Sequence, residues 1–183
     1  MKKSNFYLLY SGDKSLLSNE VNKLKKNLNI TSDSIYYDIE NVSDIIVEAS
    51  TIGMFDPYKF IVIDSGSYFL QKSEFDISLL EDYFNNYNTN SYLIFILNSG
   101  IVDSKKKLYK LINDNGTINK LSVTEEYLDT FVRNYIKDNG FTMSNMNIKF
   151  FLGRCNKDID NIKNELDKLM LYKLEENVID KDD

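Results

Sequence analysis

The sequence predicts an α/β fold: a parallel five-stranded sheet flanked by helices, followed by a small helical segment. Three observations carry that expectation. Short β-rich runs alternate along the first two thirds of the chain with segments of helical period. Two of those runs, F-I-V-I-D at 60–64 and Y-L-I-F-I-L at 92–97, are nearly continuous in apolar residues, as strands covered on both faces are. After Ser122 the β-rich runs stop while the helical period continues.

Each element has its own reason. Phe6–Tyr10 reads as the first strand, and Leu16, Leu17, Val21, Leu24 and Leu28 put one apolar stripe on the helix after it. Ile35–Ile39 reads as the second strand. Ile45, Ala49 and Ile52, with Ile46 beside them, form the next stripe. Gly53 is expected to stop that helix and Pro57 to keep it from restarting. Lys59–Asp64 follows as a strand, then a stripe at Ile77, Leu80, Phe84 and Tyr87. The strand Tyr92–Leu97, the stripe Leu108, Leu111 and Ile112, and the strand Thr117–Ser122 complete a βαβαβαβαβ order. Such an order predicts a parallel sheet with helices on both faces.

In the last third, Ser122 and Glu125 have the spacing of a capping box. Leu128, Phe131, Val132, Tyr135 and Ile136 then line one helical face, and Asn139-Gly140 is expected to end it in a left-handed cap. A shorter helix is expected around Ser144–Gly153. A longer one is expected near Lys157–Leu174, with Ile159, Ile162, Leu166, Leu169 and Met170 on one side. The end, V-I-D-K-D-D, reads as the start of another capped element, and the chain is expected to be truncated.

Composition excludes several function classes. The 183 residues are 43% hydrophobic, enough to build a packed core, and carry a net charge of −6, which argues against a large nucleic-acid footprint. There is one cysteine, Cys155, so no internal disulfide forms, and a reducing cytoplasm fits best. There is no histidine, which removes the commonest general base and metal ligand. No apolar run approaches the ~20 residues of a membrane span, and the N-terminal apolar run is too short for a signal peptide.

Several short stretches look chemical. S-G-D-K-S at 11–15 sits where a phosphate-binding loop would join the first strand to the first helix, and Lys14-Ser15 mimics its last two residues. A working loop is G-x-x-x-x-G-K-[ST], long enough to turn its N–H groups inward on a phosphate. Here Gly12 stands two residues from Lys14, and Asp13 puts a negative charge where the phosphate would lie. The turn therefore reads as a tight strand-to-helix connection capped by Asp13 or Ser11. Asp64 and Asn98 end the third and fourth strands, the usual ligand edge of such sheets, but have no phosphate loop beside them. Gly153-Arg154-Cys155 joins two helices with no visible base or metal partner for the thiol, and Lys105-Lys106-Lys107 reads as a solvated helix start. No paired carboxylates, Cys/His set or nucleophile–base pair stands out, so no catalytic, cofactor-binding or metal-binding residue is assigned.

One feature remains unexplained by core-building. Met54 and Phe55 are large and apolar, yet they sit between the stop signals Gly53 and Pro57, at the tip of a turn. Two readings stand on the residues alone. Met54 packs back on Ala49 and Phe55 covers the sheet edge, or the pair reaches out to another protein.

The stretches Y-L-L-Y-S-G-D at 7–13, S-T-I-G-M-F-D-P-Y-K-F-I-V-I at 50–63, S-K-K-K-L-Y-K-L-I at 104–112 and D-I-D-N-I-K-N-E-L-D-K-L at 158–169 together resemble the δ subunit of the bacterial DNA polymerase III clamp loader. The resemblance implies a RecA-like AAA+ domain, here 1–139, that has lost nucleotide binding. It also implies a small helical lid, here 140–183 and expected to be truncated, with the family's C-terminal collar domain absent. It implies that Met54 and Phe55, supported by Ile52 and Gly53, form the hydrophobic wedge that binds the β sliding clamp and opens the ring for loading during DNA replication. The family's first wedge residue is usually Leu, for which Met54 is a near-isosteric substitute. The implied partners are the clamp, the τ/γ and δ′ loader subunits, and primed DNA indirectly through the complex; no membrane and no cofactor are implied, and the chain would be non-catalytic within a nucleotidyltransferase holoenzyme. Two rivals are an AAA+ or P-loop ATPase with a divergent phosphate loop, and an unrelated α/β protein-interaction module.

Overall fold

A computed structural model describes residues 4–53, 57–70 and 76–180. The chain divides into two compact units, Met1–Ser122 and Val123–Asp183.

In the first unit the strands β1 (Phe6–Ser11), β2 (Ser34–Asp38), β3 (Lys59–Asp64), β4 (Ser91–Asn98) and β5 (Thr117–Lys120) alternate with the helices α1 (Lys14–Asn27), α2 (Val42–Ser50), α3 (Ser78–Asn85) and α4 (Lys107–Asn115). The five strands form one sheet in the order β2-β3-β4-β1-β5, and every pairing is parallel. Each connecting helix must therefore run back from the carboxyl edge of the sheet to its amino edge. Turns that enter helices gather at the carboxyl edge, and the turn from α2 into β3 lies at the amino edge.

The central strands are buried on both faces, as their unbroken apolar runs predict. Ile61 and Ile63 of β3, with Leu93 and Phe95 of β4, point into a core shared with α2, α3 and α4. Phe60, Val62, Tyr92 and Ile94 point the other way, into a core with Leu17 and Val21 of α1. Phe6 locks the first core with a ring stack on Phe84 at 4.0 Å and an edge contact to Tyr87 at 4.9 Å. Gly116, between α4 and β5, has no room for a side chain: a Cβ there would lie 2.4 Å from the Phe6 carbonyl oxygen.

Local signals explain the helix ends. Asp13 caps α1 by accepting from the Leu16 amide at 2.9 Å. Asn29, at φ 55°, closes α1 in a Schellman turn, with the Ile30 amide on the Lys25 carbonyl and the Asn29 amide on the Lys26 carbonyl.

The second unit holds α5 (Glu125–Asp138), α6 (Asn145–Arg154) and α7 (Ile159–Tyr172), with α5 packed on both of the others. Gly140, at φ 82°, ends α5 as the Asn-Gly pair predicts, with the Phe141 amide on the Ile136 carbonyl. Ser144 and Asp158 cap α6 and α7. Tyr135 donates to Asp167 at 2.7 Å, and Arg133 forms a two-bond pair with Asp129 and also reaches Asn145.

The structure departs from the sequence-based expectations at several places. The segment after Ser122 is not wholly helical: β6 (Thr142–Met143) and β7 (Val178–Ile179) pair in parallel, so V-I of the terminal stretch is a short strand. Helix α5 falls in the second compact unit, where it buries Leu128, Val132 and Ile136 and packs with α6 and α7. Thr124, not Ser122, caps α5 by accepting from the Tyr127 amide. The helix before Gly53 ends at Ser50, so Ile52 lies outside it and does not share the inward stripe of Ile45 and Ala49.

Candidate functional site

The early end of α2 has a specific physical cause. A helix leaves its last four carbonyls without intrahelical partners. Here the chain leaves the helix at Thr51, in an extended conformation, and side chains from β3, β4, α3 and the α3–β4 loop take two of those carbonyls. The Lys59 ammonium donates to the Glu48 carbonyl at 2.9 Å, to the Glu48 carboxylate at 2.5 Å and to the Thr51 hydroxyl at 2.6 Å. A cation at a helix C-terminus is also favoured by the helix dipole. The next carbonyl, that of Ala49, accepts from the Ser91 hydroxyl at 2.7 Å, the Tyr83 hydroxyl at 3.1 Å and the Asn88 amide group at 3.3 Å. Asn88 reaches the Thr51 carbonyl as well, at 3.5 Å.

The result is a fixed base for the turn between α2 and β3. Ile52 emerges from it 72% exposed, and Val47, on the outer face of α2, is 65% exposed. Gly53 is half-buried, and Tyr58, at the far side of the turn, is exposed with its carbonyl accepting from Ser32. Met54 and Phe55, the two wedge residues expected from sequence, lie outside the described residues. Of the expected supporting residues, Ile52 is exposed and Gly53 is half-buried, both just past Thr51.

At the opposite edge of the sheet, only Gly12 and Asp13 separate β1 from α1. The Asp13 carboxylate occupies the first-turn amide of Leu16, and the Asp13 amide donates to the Ser11 hydroxyl at 3.1 Å. Both capping groups named from sequence are thus engaged. Asp64 folds back on the Gly66 amide at 2.9 Å, and Asn98 is exposed. The remaining chemical-looking stretches also have local roles. Lys106 lies over the Tyr68 ring at 4.9 Å, and Lys107 pairs with Glu81 at 2.5 Å. Arg154 covers the Phe150 ring, and burial pushes the Cys155 thiol pKa up, which keeps the sulfur in its unreactive form.

Sequence reasoning missed the four residues that hold the turn. In the sequence Lys59 reads only as the first residue of a strand, and Tyr83, Asn88 and Ser91 carry no motif. Their signal is positional: Lys59 and Ser91 open adjacent strands and are paired in register, a relation visible only once the sheet order is known.

Comparison with known proteins gives one sequence-based match and several structural ones. The profile of a family described as DNA polymerase III, delta subunit, matches residues 4–122. No curated protein sequence matches significantly. Among solved structures, the Bacillus subtilis DNA clamp loader delta protein (YqeN) superposes with a TM-score of 0.66 at 19% identity, over 96% of this chain and 55% of that one. The Thermotoga maritima RuvB Holliday junction branch migration motor gives 0.61 at 14% identity, over 97% of this chain and 58% of that one. Domain III of the Thermotoga maritima replication initiation protein DnaA gives 0.50 at 13% identity, over 94% of this chain and 78% of that domain. The fold is the RecA-like AAA+ type, and the chain spans little more than half the length of the first two structures.

Proposed function

Because the chain belongs to the DNA polymerase III delta-subunit family, we propose that it serves as the clamp-opening subunit of a clamp loader, and that the turn between α2 and β3 is its clamp-binding element. The observation that carries this reading is the fixed base of that turn. Four side chains hold the end of α2, and Ile52, the second residue beyond it, is large, apolar and exposed. Met54 and Phe55 follow within the same turn. Moving each from water into an apolar pocket is worth about 1.5–3 kcal/mol. Two such anchors can dominate an interface.

In this reading the chain acts mechanically. A closed ring opens when a ligand binds its open or strained form more tightly than its closed form. The wedge supplies that difference, and the chain itself makes and breaks no covalent bond. Lack of nucleotide binding is part of the proposal. The short turn before α1 is supporting, because Asp13 fills the amide that a phosphate would use and brings a like charge. Residues 140–183 would serve as the lid. The τ/γ and δ′ subunits would be its loader partners, sister subunits would handle ATP, and primed DNA would be met indirectly through the complex, in the cytoplasm.

A pull-down with the sliding clamp of the same organism tests the assignment. Wild type should retain the clamp, and Met54→Ala/Phe55→Ala should not. Equal retention by both proteins would remove the wedge from the account.

A further inference from the structure

We infer that Lys59 is a positioning residue for clamp binding: it clasps together the two ends, Thr51 and Lys59, of the turn between α2 and β3. The inference rests on the reading of that turn as the clamp-binding element. An ammonium has three donors, and all three are used within the chain, on the Glu48 carbonyl, the Glu48 carboxylate and the Thr51 hydroxyl. The Lys59 side chain is only 11% exposed, so it has neither a free donor nor an open surface for a partner. Thr51 starts the turn and Lys59 ends it, so this bond closes the loop with a side chain. Ser91 provides the second hold, on the neighbouring Ala49 carbonyl, and is itself 1% exposed.

The consequence is kinetic. A partner captures only the fraction of molecules whose turn is already in the binding geometry, and its apparent affinity scales with that fraction. Loosening the clasp lowers the fraction and slows association. Once the complex has formed, the wedge contacts are unchanged, so dissociation keeps its rate.

Surface plasmon resonance with the full chain over the immobilised sliding clamp of the same organism separates these effects. Lys59→Met keeps the stem and removes the donors. It should slow association by about tenfold and leave dissociation within about twofold. Hydrogen exchange should speed up at the amide of Thr51, which donates to the Glu48 carbonyl. Ser91→Ala, at a site no partner can touch, should slow association in the same sense. The role is overturned if Lys59→Met associates at the wild-type rate while Met54→Ala/Phe55→Ala loses binding; the turn then keeps its assignment. It is also overturned if the loss matches only the unfolded fraction measured by circular dichroism on the same sample. If Met54→Ala/Phe55→Ala binds as wild type, the clasp and the assignment fall together.

Discussion

Lys59 and Ser91 are register partners on β3 and β4, and they hold consecutive carbonyls of α2, those of Glu48 and Ala49. Two adjacent strand starts thus grip the last turn of a helix that packs across them. The grip ends the helix at Ser50 and sends the chain outward before Gly53. Side chains thus hold both ends of the turn between α2 and β3.

The Ala49 carbonyl is buried and has three donors, so its loss of partners should be strongly non-additive. Ser91→Ala alone should cost about 1 kcal/mol, because Tyr83 and Asn88 still satisfy the oxygen. Combining Ser91→Ala with Tyr83→Phe and Asn88→Ala should cost more than the sum of the single changes, since a buried acceptor is then left unpaired. Urea unfolding of the single, double and triple variants gives the comparison.

Gly116→Ala should destabilise the first unit by about 1–3 kcal/mol or more. The added methyl collides with the backbone oxygens of Phe6 and Ile112 rather than with a side chain that can swing away. Thermal unfolding followed by circular dichroism should show the loss.

Asp13→Ala should cost about 0.5–2 kcal/mol through the lost cap on α1. It should not create nucleotide binding, because the two-residue turn still offers no loop to wrap a phosphate. Equilibrium binding of labelled ATP to wild type, Asp13→Ala and Lys14→Ala should give no Mg²⁺-dependent signal in any of them. Tight binding to wild type that Lys14→Ala abolishes would favour an ATPase instead.

Burial, then the hydrogen bond to Asp167 and that carboxylate's charge, push the Tyr135 phenol up to about 12. In the unfolded chain the same phenol ionises near pH ~10. The folded state therefore holds the proton more tightly. The stability linked to this group is fully present below pH ~10 and is lost as pH rises through the folded value. Melting temperature should fall over that window, and Tyr135→Phe should fall less steeply than wild type.

Much of the fold was legible because burial leaves a plain pattern. F-I-V-I and Y-L-I-F-I-L can be little else than strands covered on both faces, and the Asn139-Gly140 pair marks its left-handed cap directly. The errors fall where tertiary contacts override local signals. Gly53 reads as the helix stop, but α2 ends at Ser50, where Lys59, Tyr83, Asn88 and Ser91 take its last carbonyls. The pair β6–β7 is too short to show a period, and its partners are far apart in sequence. The capping turn at Asp13 was readable from spacing, whereas the clasp around Lys59 needs the sheet order before it can be seen.

The central claim is that Met54 and Phe55 carry clamp binding. Isothermal titration of the full chain against the purified sliding clamp, wild type beside Met54→Ala/Phe55→Ala, tests it most directly. Losing two anchors of about 1.5–3 kcal/mol each predicts a Kd weaker by roughly two to four orders of magnitude, with the melting temperature largely kept. A double variant that binds the clamp with the wild-type Kd would contradict the account.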